Sequence, residues 1–430
     1  MENLLRSLAT NARGSVMSLE WSHALSAAAR SLAEAPTFLA LASRADVTSF
    51  AGGVPDVSAF PYDAILTAIE TIWKEPDVRA RSFQYAPSGG YEPLRRYIAE
   101  KLNAEGIASN VERILITSGA QQALDLIARL LINPGDSIAI TAPTFFAAID
   151  TFSVYRPRMS EIPFSENGVD LDVAKAVLAN RPKFLYLIPE FQNPTGLCIS
   201  EHDRREILRL CVEFDVPIIE DSAYRDLRFF GVDIPSIAQL ACEAGFGNHV
   251  IQVNTFSKTI APGFRVGWLS AAPSLVAKLA ALKLACDVHT SAFNQMVATH
   301  IAETVLSSHI ATIRKLYREK RDAMLDALER YMPGGCTWTR PDGGLFVWVT
   351  FPRQIDASLL FETSMKGPKV AFVPGNLFYP DRAVHHKCRL SFATARPDVI
   401  FEGIERLGRL LHQSTAGQAC NAVPTRRVYQ

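Results

Sequence analysis

With 430 residues, 48% of them hydrophobic and 20% charged, the chain is globular and long enough for two or three domains, which excludes a disordered or collagen-like protein. Lysine plus arginine number 44 and aspartate plus glutamate 44, a net charge of zero that carries no footprint for nucleic acid or an anionic membrane. The seven cysteines form no CxxC pair, so neither a disulfide framework nor a zinc site is expected, and the nine histidines show no metal-ligand spacing.

The first twenty residues lack the apolar core of a secretion signal, and no apolar run reaches the length of a membrane span; a soluble, cytoplasmic protein is expected. Residues 1–61 read as helices and a loop that pack with a smaller domain. Residues 62–294 read as a large domain. Within it, short β-rich runs alternate with helical patterns: ILIT (114–117), SIAI (137–140), FLYLI (184–188), VPII (216–219), VIQVNTF (250–256) and VGWLS (266–270). Between them lie stretches such as DRREILRLCVEF, whose Ile207, Leu208, Cys211 and Val212 share one helical face. This alternation predicts an α/β fold with a largely parallel sheet between helices. Residues 295–412 read as a smaller α+β domain. It opens with a long helical stretch from about 295 to 330, followed by strands near LFVWVTF (345–351), KVAFVP (369–374) and CRLSFA (388–393), and a closing helix near 397–412. Residues 413–430 are polar, aperiodic and expected to be a loose tail.

Ligands of open parallel sheets bind beyond the carboxyl ends of the strands, so the residues after each apolar run carry the chemistry. After ILIT come Ser118, Gly119, Ala120 and Gln121, with capping-box spacing between Ser118 and Gln121; free amides at such a helix start suit a phosphate. After FLYLI, Asn193 precedes a proline and is held in an extended turn. After VPII come Glu220, Asp221 and Tyr224; strand alternation sends the two carboxylates to opposite sides, so at most one meets a shared ligand. After VIQVNTF come Ser257 and Lys258, and a Pro-Gly turn later Arg265; a lysine buried there has a depressed amine pKa and is a competent nucleophile. Each part has an ordinary structural reading, as a helix cap, a turn asparagine or a snorkelling lysine. Taken together they meet the needs of one ligand, pyridoxal 5′-phosphate: an amine for its aldehyde, a carboxylate for its ring nitrogen, donors for its phenolate, and amides with an arginine for its phosphate.

The chain resembles the class I/II aminotransferases of fold type I, in the branch of 2-aminoadipate and aromatic aminotransferases, through SFAGGVPDVSAFP, QYAPSGGYEPLR, ITSGAQQALDL, PTFF, PEFQNPTG, EDSAY, NTFSKTIAPGFRVGW, PDGGLFVW and CRLSF. The resemblance implies that an amino acid and a 2-oxo acid exchange an amino group through a Schiff base at Lys258. It assigns Asp221 to the pyridine nitrogen, and Tyr224 and Asn193 to the phenolate oxygen. Arg265, Thr255, Ser257 and the Ser118–Gln121 turn, through its amides, fall to the phosphate, and Phe145 to the ring face. Arg389, helped by Gly53 and Asn193, falls to the substrate carboxylate. It further implies a homodimer in which Tyr85 reaches the neighbouring subunit's site. Related enzymes of this fold eliminate or replace side-chain groups with the same lysine and aspartate, so that outcome stands as the alternative. Phe145 and Ala120 depart from the tyrosine and serine common at those positions. The segment AlaProThrPheLeuAlaLeu (35–41) lacks the arginine that meets a distal carboxylate in relatives acting on acidic amino acids; Arg44 falls outside that role. A third reading, the effector domain of a transcription regulator, is set aside: the FAGG block begins at Phe50, which leaves too few residues ahead of it for a winged-helix module.

Overall fold

The computed structural model describes residues 21–31 and 44–421. After the two-residue strand β1 (Thr48–Ser49), the apolar runs become an eight-stranded sheet. Its strands are β2 (Ile114–Thr117), β3 (Ser137–Ala142), β4 (Arg158–Ser165), β5 (Gly168–Val169), β6 (Leu185–Leu187), β7 (Ile218–Asp221), β8 (Val250–Thr255) and β9 (Gly267–Ser270). In space they lie in the order β2-β9-β8-β7-β6-β3-β4-β5. Strands β8, β7, β6, β3 and β4 pair in parallel, whereas β9 runs antiparallel between β8 and β2. Every residue of β6, β7 and β8 is buried, as expected of strands covered on both faces. One face packs against Ala120–Leu131 and Pro273–Asp287, the other against Glu92–Ala104, Glu201–Glu213 and Ile237–Glu243. Ser200 and Ser236 start the last two helices by accepting from the amides of Asp203 and Gln239.

The second sheet is antiparallel, in the order β10 (Thr337–Trp338), β11 (Phe346–Thr350), β14 (Lys387–Ser391), β13 (Val373–Pro374), while β12 (Val370–Ala371) pairs in parallel with β1. The chain ahead of the large sheet is thereby tied to this one: the Ser391 amide donates to the Phe50 carbonyl at 2.8 Å, and Phe50 is wholly buried.

Four local readings differ from the structure. The helical stretch from 295 to 330 is two helices, Ala292–Thr304 and Leu306–Tyr331, with the break at Val305. The first lies against Tyr62–Lys74 and Glu92–Ala104 and the second against Pro397–Asn421, so each half buries its apolar face on a different partner. KVAFVP splits into β12 and β13 because Val370–Ala371 pairs with β1 and Val373–Pro374 with β14. The strand Arg158–Ser165 had no apolar run to announce it: only Ile162 and Phe164 of its side chains are buried. The closing helix continues to Asn421, into the stretch read as a loose tail; residues 422–430 lie outside the described ones.

Candidate active site

The parallel strands end on one side, and there the structure gathers most of the residues singled out in sequence. Asp221 closes β7 and is buried, its Oδ2 accepting from the Tyr186 hydroxyl at 2.9 Å and its Oδ1 from the Ala223 amide at 3.2 Å. Burial pushes its pKa up to about 6, against the pull of those hydrogen bonds and of Lys258. Glu220 faces the other way, where it accepts from the amides of Ile237 and Ala238 at 2.8 and 2.9 Å and caps that helix.

Lys258 follows β8, half-buried, with Nζ donating to the Gly53 carbonyl at 2.8 Å and lying 5.8 Å from the Tyr224 ring centroid. Burial first, then the positive charges of Arg389 and Arg265, push its pKa down to about 8 in spite of Asp221. The Tyr224 phenol is raised by burial, an effect opposed by Arg389 and by a hydrogen bond with Asn193.

Arg389 comes from β14, on the second sheet. Its Nη1 donates to Asn193 Oδ1 at 2.8 Å and its Nη2 to the Ala51 carbonyl at 2.5 Å. The guanidinium lies 4.4 Å from the Phe346 ring centroid and 5.3 Å from that of Phe378. Only 2% of the residue is exposed, no acidic side chain among the described residues pairs with it, and Nε has no hydrogen-bond partner. A buried cation without an anion is costly, and burial lowers its pKa to about 10. Gly53 leaves room beside it: an added Cβ would stand 3.1 Å from Phe346 and 3.8 Å from Arg389 Nη1.

At the far edge, helix Ala120–Leu131 starts from Gly119 (φ 86°, ψ 169°) with no side chain capping it, which leaves its first amides without a side-chain acceptor. Arg265, itself at φ 51°, donates through Nη2 to the Ser118 carbonyl at 3.0 Å, so close over the turn that a Cβ on Gly119 would stand 2.6 Å from that nitrogen. Thr255 Oγ1 donates to Ser257 Oγ at 2.8 Å alongside. The expected capping box is absent. Gln121 turns away to Thr151 and the Ala147 carbonyl, and it is Gln122 whose Oε1 accepts from the Ser118 amide at 2.7 Å. The Ser118 hydroxyl is engaged with Asp287 and Thr290.

The residues present fit pyridoxal 5′-phosphate. An uncapped helix start beneath an arginine suits the phosphate, a buried carboxylate the ring nitrogen, and an amine of lowered pKa the aldehyde; Phe145, half-buried, precedes the helix Phe146–Ser153 and packs on Phe146, ring centroids 5.5 Å apart. Tyr85 is not part of this cluster: it is 80% exposed, with its ring edge-on to His289 at 5.8 Å. Arg44 is engaged with Asp46 at the surface, and residues 35–41 lie outside the described ones. Sequence reading missed Tyr186, Phe346 and Phe378. Only Tyr186 carried a signal, a hydroxyl inside the apolar run FLYLI.

Residues 56–407 match the family model described as "Aminotransferase class I and II". A 2-aminoadipate transaminase of Thermus thermophilus is 39% identical, over 91% of this chain and 98% of its own length. An aromatic-amino-acid aminotransferase of Thermococcus litoralis is also 39% identical, over 87% and 90%. The crystal structure of the α-aminoadipate aminotransferase of Thermus thermophilus, complexed with N-(5′-phosphopyridoxyl)-L-leucine, superposes with a TM-score of 0.86 at 38% identity, over 93% of this chain and all of that one.

Proposed function

The chain belongs to the class I and II aminotransferases and is a pyridoxal-5′-phosphate-dependent transaminase, and on that premise we propose how its residues divide the work and which donors it takes. Transamination, rather than elimination or replacement, is the reaction of the aminotransferases it matches over nearly their whole length. When bound, the cofactor supplies the aldehyde that takes up the amino group and a ring that draws electrons from the substrate Cα.

Lys258 Nζ would hold the cofactor through its aldehyde and, as a free amine, would serve as the general base for the Cα proton. Its lowered pKa leaves a share of the amine unprotonated near neutral pH. Asp221 accepts a hydrogen bond from the protonated ring nitrogen and keeps that proton in place. Tyr224 and Asn193 donate to the phenolate oxygen. The helix start at Ala120 and Gln121, with Arg265, Thr255 and Ser257, holds the phosphate. Phe145 lies on the ring face.

The observation that carries the substrate reading is Arg389: buried, bonded only to neutral oxygens, with an unpartnered Nε, it suits the α-carboxylate of an amino acid as a paired anion. Gly53 and Asn193 border that position. The rings of Phe346 and Phe378 lie against Arg389, and residues 35–41 hold no arginine. The favoured donors are therefore L-amino acids with uncharged, apolar side chains. In the same reading the enzyme works as a cytoplasmic homodimer. Tyr85 stands exposed, edge-on to His289, where it can meet a partner's phosphate site, and the six cysteines whose side chains are described are unpaired.

The test is the visible spectrum of the holoenzyme with single amino acids and no oxo acid. Leucine or phenylalanine should convert the cofactor to its amine form at lower concentration than 2-aminoadipate does. The reverse order would overturn the side-chain assignment.

A further inference from the structure

Gln122 stands in the same run as the phosphate turn, yet the roles above leave it unused. Its side chain folds back: Oε1 accepts from the Ser118 amide at 2.7 Å and from Lys283 Nζ at 2.8 Å, and Nε2 donates to Asp287 Oδ2 at 2.6 Å. Ser118 Oγ donates to that same oxygen at 3.1 Å and lies 3.2 Å from Thr290 Oγ1. Lys283 Nζ lies 2.7 Å from both carboxylate oxygens of Asp287, one helical turn further along Pro273–Asp287. Lys283 has no exposed surface at all. The Asp287 side chain keeps 28% of its surface exposed, so it is the lysine whose hydration is lost, and that loss offsets much of the attraction.

What the pair holds is the Ser118–Gly119 turn. Gly119, at φ 86° and ψ 169°, occupies a region open essentially to glycine alone, and because glycine has the most backbone freedom to lose, its surroundings have to fix the turn. Every polar group of Ser118 is engaged from outside the turn: the amide by Gln122, the hydroxyl by Asp287 and Thr290, the carbonyl by Arg265. The Ala120 and Gln121 amides remain uncapped. The charges of Lys283 and Asp287 cancel, so the effect of the pair on a phosphate is one of geometry rather than of field.

We propose that Lys283, Asp287 and Gln122 are positioning residues for cofactor binding: they set the Ser118–Gly119 turn and so aim the first helix amides and Arg265 at the phosphate. This rests on the placement of the phosphate at that turn.

The experiment compares pyridoxal 5′-phosphate with pyridoxal, which keeps the aldehyde and ring but lacks the phosphate, by fluorescence titration of apoprotein. In Gln122→Ala the Kd for pyridoxal 5′-phosphate should rise about tenfold or more, the loss expected from one misplaced charge-assisted hydrogen bond, while that for pyridoxal changes less than about twofold. Lys283→Met alone would strand the Asp287 charge, so the paired variant K283M/D287L is used; it removes both charges together and should fold with a melting temperature near the parent's while showing the same phosphate-selective loss. Equal weakening of both ligands, or unchanged affinity in both variants, overturns the proposal. Loss of structure in both variants overturns it too, since the network would then serve folding. A parent protein that binds pyridoxal as tightly as pyridoxal 5′-phosphate would instead overturn the placement of the phosphate.

Discussion

Tyr186 donates its hydroxyl to Oδ2 of Asp221 at 2.9 Å, from a strand that pairs in parallel with the one Asp221 ends. Both residues are buried, and the bond is one of two that limit how far burial raises the carboxyl, the other coming from the Ala223 amide. At about 6 its pKa leaves Asp221 anionic at neutral pH, the state that pairs with a protonated ring nitrogen.

Tyr186→Phe removes a hydrogen bond to the charged form only, so the pKa of Asp221 should move further up. A bond of this kind corresponds to about one to two pH units. The affinity of apoprotein for the cofactor should then begin to fall at a correspondingly higher pH as the solution is acidified. Binding titrations across pH 5 to 8 check it, and an unmoved midpoint would disconnect Tyr186 from the ring nitrogen's partner.

Asp221→Asn should separate function from stability. A carboxyl raised from 3.8 to about 6 on folding costs the native apoprotein stability as it ionises, with the loss developing as pH climbs between those values and persisting above. Asparagine never ionises. Urea unfolding of the two apoproteins should differ little at pH 4 and favour the variant by up to about 3 kcal/mol at pH 8. Its transamination should be nearly abolished. A variant less stable than the parent at pH 8 would mean that Asp221 is better accommodated than its burial implies.

Lys258→Ala should lose the visible band of the attached cofactor and nearly all turnover. In the parent, the neutral amine is the reactive form, so the rate at which apoprotein captures pyridoxal 5′-phosphate should rise with pH and level off above about 8. Stopped-flow absorbance measures this directly, and a midpoint near the ordinary lysine value of 10.5 would contradict the depressed amine.

Arg389→Ala should act on substrate binding more than on the chemical step. Losing one partner of a buried charged pair costs about 2–5 kcal/mol, so KM for the amino donor should climb at least about 30-fold with a smaller change in kcat. Arg389→Lys should recover little of this, because an ammonium cannot reproduce the two-pronged geometry of a guanidinium. An unchanged KM in both variants would move the carboxylate site elsewhere.

Much of the architecture was legible from local pattern. The run ILIT is apolar over the length of a strand and became β2 unchanged, as a buried strand favours; VIQVNTF and CRLSF became β8 and β14 although Gln252, Asn254 and Arg389 interrupt them. The strand-end residues were legible for the same reason: once the runs are strands, chain order alone puts Asn193, Asp221 and Lys258 at one edge. Glu220 and Asp221 separated as the two-residue period of a strand requires, one to a helix cap and one to the site.

What the tertiary structure alone decided is everything that joins residues distant in the chain. Lys258 donates to the Gly53 carbonyl across 205 positions, and Arg389 to Asn193 across 196. Lys283 and Asp287 read in sequence as an ordinary helical pair one turn apart, and only packing brought them against the Ser118–Gly119 turn, with Lys283 161 positions from Gln122. VGWLS read as one more strand of the series, but its direction in the sheet follows from pairing with β8 and β2. The physical reason is common to these cases. Side-chain type and hydrophobic period are local properties of the chain, whereas direction, register and hydrogen-bond partner are settled by which surfaces are left to be buried once the elements have formed.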